Sequence, residues 1–219
     1  MAVRVLGVFA KQPVVGAVKT RLAAQTTPEW ACDVAAAMLA DTLDRVATIE
    51  VRRVIVFAPV SARGWFGVAA DGRFELEPQA EGDLGQRLRH FFERQITQGA
   101  DAVVAIGADS PTLPIACIEQ AFQLLESHDV VLGPAQDGGY YLLGCGQRPP
   151  PVFDGIDWGS AEVLAETVRR LSDPAWRLGL LPPWYDVDTL EDWRMLCGHV
   201  AAMRRAGIDP RAPRTESLI

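Results

Sequence analysis

Short apolar runs alternate with longer stretches of helical period along most of this chain, and that alternation decides the fold class. Residues 3–10 (VRVLGVFA), 53–59 (RVIVFAP), 101–107 (DAVVAIG) and 129–133 (DVVLG) are short and rich in β-branched residues, as buried strands are. Between the first two, Thr27 offers an N-cap and Pro28 a first helical position, opening a helix to about Thr48. Ala31, Val34, Ala35, Met38, Leu39, Thr42, Leu43 and Val46 form its inner stripe. A second long helix spans Asp83 to Gln98, with Leu84, Leu88, Phe91, Phe92 and Ile96 facing inward. The same pattern predicts helices near 61–69, 114–127, 160–172 and 189–206, and strands near 73–77, 140–145 and 176–181. Strands alternating with helices imply a mainly parallel sheet covered on both faces, a single-domain three-layer α/β/α sandwich of Rossmann-like type. The domain is expected over 1–206. The polar tail 207–219, with two prolines, is expected to be loosely held.

At 219 residues the chain can bury a sizeable core. Its net charge of −7 argues against nucleic acid or an anionic membrane surface as a partner, because both want a basic face. No apolar run approaches spanning length, and the N-terminus runs into a strand without a leader pattern. Cys32, Cys117, Cys145 and Cys197 form no CxxC pair, which suits a reducing, cytoplasmic setting. The three histidines are scattered, so spacing builds no zinc site.

In parallel sheets, ligands sit outside the carboxyl ends of the strands. The loop FAKQPVVGAVKTRLA follows the first strand and gathers Lys11, Lys19 and Arg21 around Gly16. It is neither a Walker A loop nor a GxGxxG fingerprint. It still offers cations and close backbone approach to a polyphosphate, against the plainer reading of a solvated loop. In AIGADSPTLP, Asp109 also follows a strand. It could hold Mg²⁺ or Mn²⁺, or with Ser110 organise the turn before Pro111. WYDVDTLEDW carries Asp186 and Asp188, and reads equally as a helix start. There Asp188 or Thr189 would cap, and Glu191 or Asp192 would close a capping box. It is not the DxDxT of aspartyl phosphatases, since Thr189 comes one position too early. GPAQDGGYYLLG is a hairpin turn or a ligand cover, with Asp137 and the tyrosine hydroxyls as contacts. QAEGDLGQRL is a glycine-bearing strand-to-helix junction. A cationic loop and two acidic turns at strand ends together make the kit for a metal–polyphosphate complex.

The order AKxPxxGxVKTRL, QxxGDLGxRL, GxDSPTLP, GPxxDGGYYLLG, DWGSxxVLxxT, DVDTxEDW resembles the glycosyltransferase-A, or nucleotide-diphospho-sugar transferase, superfamily over residues 3 to about 200. It is most similar to a bacterial glycosyltransferase branch that includes the arsenosugar-biosynthesis type. The first loop and tail also resemble phospholactate guanylyltransferase and the molybdenum-cofactor cytidylyltransferases. The resemblance implies that Lys11, Lys19 and Arg21 hold a nucleotide's phosphates. Asp109 would ligate Mg²⁺ or Mn²⁺, with Asp188 a second ligand or neighbour. Gln79 and Asp83 would lie near the base or ribose. Asp137, Gly138, Gly139, Tyr140 and Trp158 would line the acceptor side, with Asp137 as a base. The implied partners are a nucleotide or nucleotide-sugar and a small-molecule acceptor. Sugar transfer is the first expectation. The superfamily's mid-chain DxD is replaced here by Asp109-Ser110-Pro111, and the DxD stands at 186–188. Nucleotidyl transfer and a non-catalytic nucleotide-binding module are therefore the alternatives.

Overall fold

In the computed structural model, which describes residues 2–219, one sheet holds all seven strands. They are β1 (Arg4–Lys11), β2 (Arg52–Ala58), β3 (Glu75–Pro78), β4 (Ala102–Gly107), β5 (Val130–Pro134), β6 (Tyr140–Cys145) and β7 (Leu178–Leu180). The helices are α1 (Thr20–Ala23), α2 (Pro28–Val46), α3 (Arg63–Ala70), α4 (Leu84–Thr97), α5 (Ile115–Leu124), α6 (Val163–Arg170), α7 (Leu190–Arg205) and α8 (Pro213–Glu216). Strand order is β3-β2-β1-β4-β6-β5-β7. β6 runs antiparallel to β4 and β5, while the other pairings are parallel. The mainly parallel three-layer α/β/α sandwich expected from the alternation is therefore the fold. Among the described residues no helix is long and apolar enough to cross a membrane.

Successive strand side chains point to opposite faces, and the two faces fill separate cores. Val5, Val54, Val103 and Leu143 pack with Phe91 and Phe92 of α4. Leu6, Ile55, Val104 and Leu142 pack with Leu39, Leu43 and Phe122 on the other side. Each fully buried side chain of this size contributes roughly 1.5–3 kcal/mol of transfer free energy. A third cluster joins α2 to α7 through an edge-on contact of Trp30 with Trp193. The Thr27 hydroxyl accepts from Trp30 N at 3.1 Å, so α2 starts where its cap and proline placed it.

The tail is not loosely held, and here the structure corrects the expectation. Buried Arg45 donates to the carbonyls of Leu113, Pro210 and Arg211 at 2.6–2.9 Å. Buried Asp41 accepts from the backbone N–H groups of Thr215 (2.7 Å) and Arg214 (3.2 Å). Polar residues of α2 do the docking, so apolar patterning could not reveal it.

The single reversal at β6 matters for function. It puts the amino end of β6 beside the carboxyl ends of the other strands. The segments 12–19, 79–83, 108–114, 135–139 and 181–189 therefore share one edge of the sheet.

Candidate active site at the carboxyl edge of the sheet

Lys11 and Lys19 are the only lysines of the chain. Lys11 is exposed, and its Nζ donates to Ala17 O at 2.8 Å, closing the loop on itself. Gly16 has φ +76, a conformation L side chains rarely adopt. Lys19 also has positive φ (46), although it is not a glycine. That left-handed backbone is costly for a lysine and marks a position fixed by its surroundings. It sends the side chain inward, where it is 7% exposed. Nζ donates to Asp188 Oδ1 at 2.7 Å and pairs with Asp109 Oδ1. Burial alone would lower the Lys19 pKa. The charges of Asp109 and Asp188, and the hydrogen bonds to them, outweigh burial and raise it. The ammonium is thus held charged between two carboxylates.

The two acidic turns are latched together. Val187 N donates to Asp109 O at 2.9 Å, and Ser110 Oγ donates to Asp186 Oδ1 at 2.7 Å. Behind them Thr112 Oγ1 meets Tyr185 OH at 2.9 Å, and Tyr185 OH meets His199 Nδ1 at 2.7 Å. Burial pushes Asp186 up to about 6, with the charges of Asp109, Asp137 and Asp188 adding to it and the Ser110 hydroxyl opposing. The capping reading of DVDT holds. Thr189 and Asp192 form the capping box of α7, which leaves Asp186 and Asp188 directed at the cleft. Ser110 as a latch was not foreseen; its partner lies 76 residues away, so no local signal exists.

Three clefts meet at this edge. One of about 330 Å³ is lined by Lys11, Lys19, Arg21, Ala35, Leu39 and Asp109. A mostly apolar one of about 240 Å³ runs from Phe9 and Leu88 to Asp109 and Asp186. The third, about 570 Å³, is lined by Arg21, Asp137, Tyr140, Trp158, Asp186 and Asp188. Arg21 and Asp188 belong to both the first and the third.

The wall of the third cleft is braced. Gly138 has φ +90, and a Cβ there would lie 2.0 Å from Ala161 O. Leu164 N donates to Gly138 O at 2.9 Å, so the 137–139 turn docks on the start of α6. Gly139 N donates to Asp137 Oδ1 at 2.9 Å, fixing that carboxylate. Trp158 meets Tyr140 edge to face at 6.1 Å. It also lies against Gly85, where a Cβ would sit 2.3 Å from Trp158 Nε1.

Gln79 and Asp83 have scaffold partners. The Gln79 amide donates to Val56 O (2.9 Å) and Ala10 O (3.3 Å) and accepts from Arg87. Asp83 forms the capping box of α4 with Gln86. Both stand in the junction after β3, outside the linings of the three clefts.

Among the described residues, no three His, Cys, Asp or Glu side chains gather as a metal-holding group. What the site has is Asp109 and Asp188 converging on one cation, the Lys19 ammonium. That donor set suits Mg²⁺ or Mn²⁺, which take one or two carboxylates and complete their shell with water and phosphate oxygens.

Residues 42–160 match the family described as "Uncharacterized protein conserved in bacteria (DUF2064)". The chain is similar to the 3-phospho-D-glycerate guanylyltransferase of Phenylobacterium zucineum (strain HLK1), 35% identical over 130 residues. That stretch covers 57% of this chain and 59% of the relative's length. A crystal structure from Desulfovibrio desulfuricans G20, provisionally assigned as a nucleotide-diphospho-sugar transferase, is similar over 100% of this chain and 97% of its own. Its identity is 30% and its TM-score 0.89. A cytidylyltransferase from Leptospira borgpetersenii serovar Hardjo-bovis (strain JB197) has the same fold at 12% identity and TM-score 0.61, covering 100% and 94%.

Proposed function

The chain belongs to the bacterial family DUF2064, and we propose that it is a metal-dependent nucleotidyltransferase. It would transfer a nucleoside monophosphate from a nucleoside triphosphate to a small acceptor and release pyrophosphate. One observation carries this reading: the cationic loop delivers Lys19 between Asp109 and Asp188, so a group suited to phosphate stands beside groups suited to a metal ion. The similarity to a guanylyltransferase favours this reaction over the first expectation of sugar transfer.

In this reading Lys11, Lys19 and Arg21 hold the triphosphate, with Gly16 letting the loop backbone approach. Asp109 and Asp188 would hold Mg²⁺ or Mn²⁺, which would neutralise charge on the departing diphosphate. Gln79 and Asp83 would act on the nucleoside side only by bracing the junction between β3 and α4. Gly138, Gly139, Tyr140 and Trp158 shape the acceptor side, where Asp137 takes the acceptor's proton. The partners are thus a nucleotide and a small molecule, with no nucleic acid or membrane.

Sugar transfer from a nucleotide-sugar is the second reading, favoured by the likeness to the Desulfovibrio protein along the whole chain. It would agree with the arsenosugar-biosynthesis branch that the motif order resembles. The products separate the two. Phosphorus NMR of reactions with Mg²⁺ and each triphosphate or nucleotide-sugar should show pyrophosphate, and Asp109→Asn should abolish it. Nucleoside diphosphate released from a nucleotide-sugar, with triphosphates inert, would move the assignment to the second reading.

A further inference from the structure

The third cleft has a charge pattern that selects among acceptors. The inference deepens the proposed function and rests on its assignment of this cleft to the acceptor. Asp137, Asp186 and Asp188 line it, and among the described residues Arg21 is its single cationic side chain. Arg21 also lines the cleft of Lys11 and Lys19, where the nucleotide's phosphates claim it. An acceptor carrying phosphate or carboxylate would find no free cationic side chain here among the described residues, and its charge would face Asp137 and Asp186, since Asp188 is matched by Lys19 and the proposed metal. One wall is aromatic, with Trp158 set edge to face on Tyr140 and anchored over Gly85. Such a wall suits the apolar face of a sugar ring or polyol. A phosphate nucleophile is already ionised and needs cations. A hydroxyl nucleophile needs a proton acceptor, and carboxylates are what this cleft supplies.

We infer that the acceptor is a polyol or amino sugar free of phosphate and carboxylate groups, and that it reacts through a hydroxyl. The acceptor oxygen forms the new bond to the α-phosphorus, and the bond from that phosphorus to the bridging oxygen breaks. Pyrophosphate leaves with the bonding pair. The hydroxyl proton passes to a cleft carboxylate, which Asp137, fixed by Gly139 N, is placed to provide. This specificity would separate the protein from its guanylyltransferase relative, whose name specifies a phosphorylated acid.

The test uses matched pairs: glucose and glucose 6-phosphate, glucosamine and glucosamine 6-phosphate, glycerol and glycerol 3-phosphate. Saturation-transfer NMR on the wild-type protein with Mg²⁺ and an α,β-methylene triphosphate reads binding without turnover. Pyrophosphate release with the native triphosphate reads turnover. The expected result is transfer to an unphosphorylated member, with its phosphorylated partner bound at least about ten-fold more weakly. Ser160→Arg, which adds a cation to the cleft lining, should narrow or reverse that preference. Preference for the phosphorylated member in wild-type protein would overturn the inference, as would transfer to neither member of every pair. Binding of the unphosphorylated member with nucleoside diphosphate as the released product would support the acceptor class and overturn the nucleotidyl reading alone.

Discussion

Lys19 and Asp188 lie 169 residues apart in the chain and 2.7 Å apart in the fold, Nζ to Oδ1. The same ammonium pairs with Asp109, so one cation ties the first loop to both acidic turns. Lys19→Met would leave two carboxylates facing each other. They are 49% and 42% exposed, so solvent screens the loss to about 1 kcal/mol. That predicts a melting temperature about 2–4 °C lower for a chain of this size. Mn²⁺ alone should restore much of it, because the ion can take the place between Asp109 and Asp188 that the ammonium has left. Triphosphate affinity should fall about ten-fold or more, as loss of a charge-assisted bond implies. Calorimetry on both proteins reads both effects.

The Arg45 guanidinium is the second structural centre. It joins α2 to Leu113, at the end of the turn that begins with Asp109, and to the tail carbonyls of Pro210 and Arg211. Arg45→Met should cost about 4 kcal/mol or more, since it removes three hydrogen bonds to a charged group, each worth roughly 1.5–3. Thermal unfolding should show the loss. Deleting residues 207–219 should destabilise comparably, whereas a free tail would leave the melting temperature unchanged.

Much of this was legible beforehand because its causes are local. Thr27-Pro28, the apolar stripe of α2 and the period of α4 each act within a few residues. The motif positions at strand ends followed from the parallel sheet. Hidden from the sequence were contacts between distant polar groups: the Lys19 bridge, the Ser110–Asp186 latch and the Arg45 clasp. Hydrophobic patterning carries no information about such partners. Gln79 is a further instance, since its local setting gave no hint that Val56, Ala10 and Arg87 would engage its amide.

Gly85 anchors the acceptor wall. A methyl there would press on Phe153 O at 2.2 Å as well as on Trp158. Gly85→Ala should cost about 1–3 kcal/mol through overpacking. It should also raise the acceptor KM while leaving the triphosphate KM near its wild-type value. Steady-state kinetics with each substrate varied in turn checks this.

Glu77 predicts a pH effect away from the cleft. Burial raises its pKa, against Arg94, His90 and Arg52 and the Gln95 amide that donates to it. The folded state therefore holds this proton more tightly than the unfolded chain. Its stabilising contribution is present at low pH and is lost as pH rises through the folded pKa, above the ordinary glutamate range. Glu77→Gln keeps the site neutral. The variant's melting temperature relative to wild type should rise between pH 4 and pH 7; a constant difference would contradict the assignment.

The most direct test of the central claim is thermal stabilisation by nucleotides, with and without Mg²⁺, in wild-type and Asp109→Asn proteins. A ligand at about a hundred times its dissociation constant adds roughly 2.7 kcal/mol, a rise on the order of 5–10 °C here. That rise is expected for one nucleoside triphosphate, above its diphosphate and nucleotide-sugars, dependent on Mg²⁺ and lost in Asp109→Asn. A larger rise with a nucleotide-sugar than with any triphosphate, or no Mg²⁺ dependence in the wild-type protein, would contradict it.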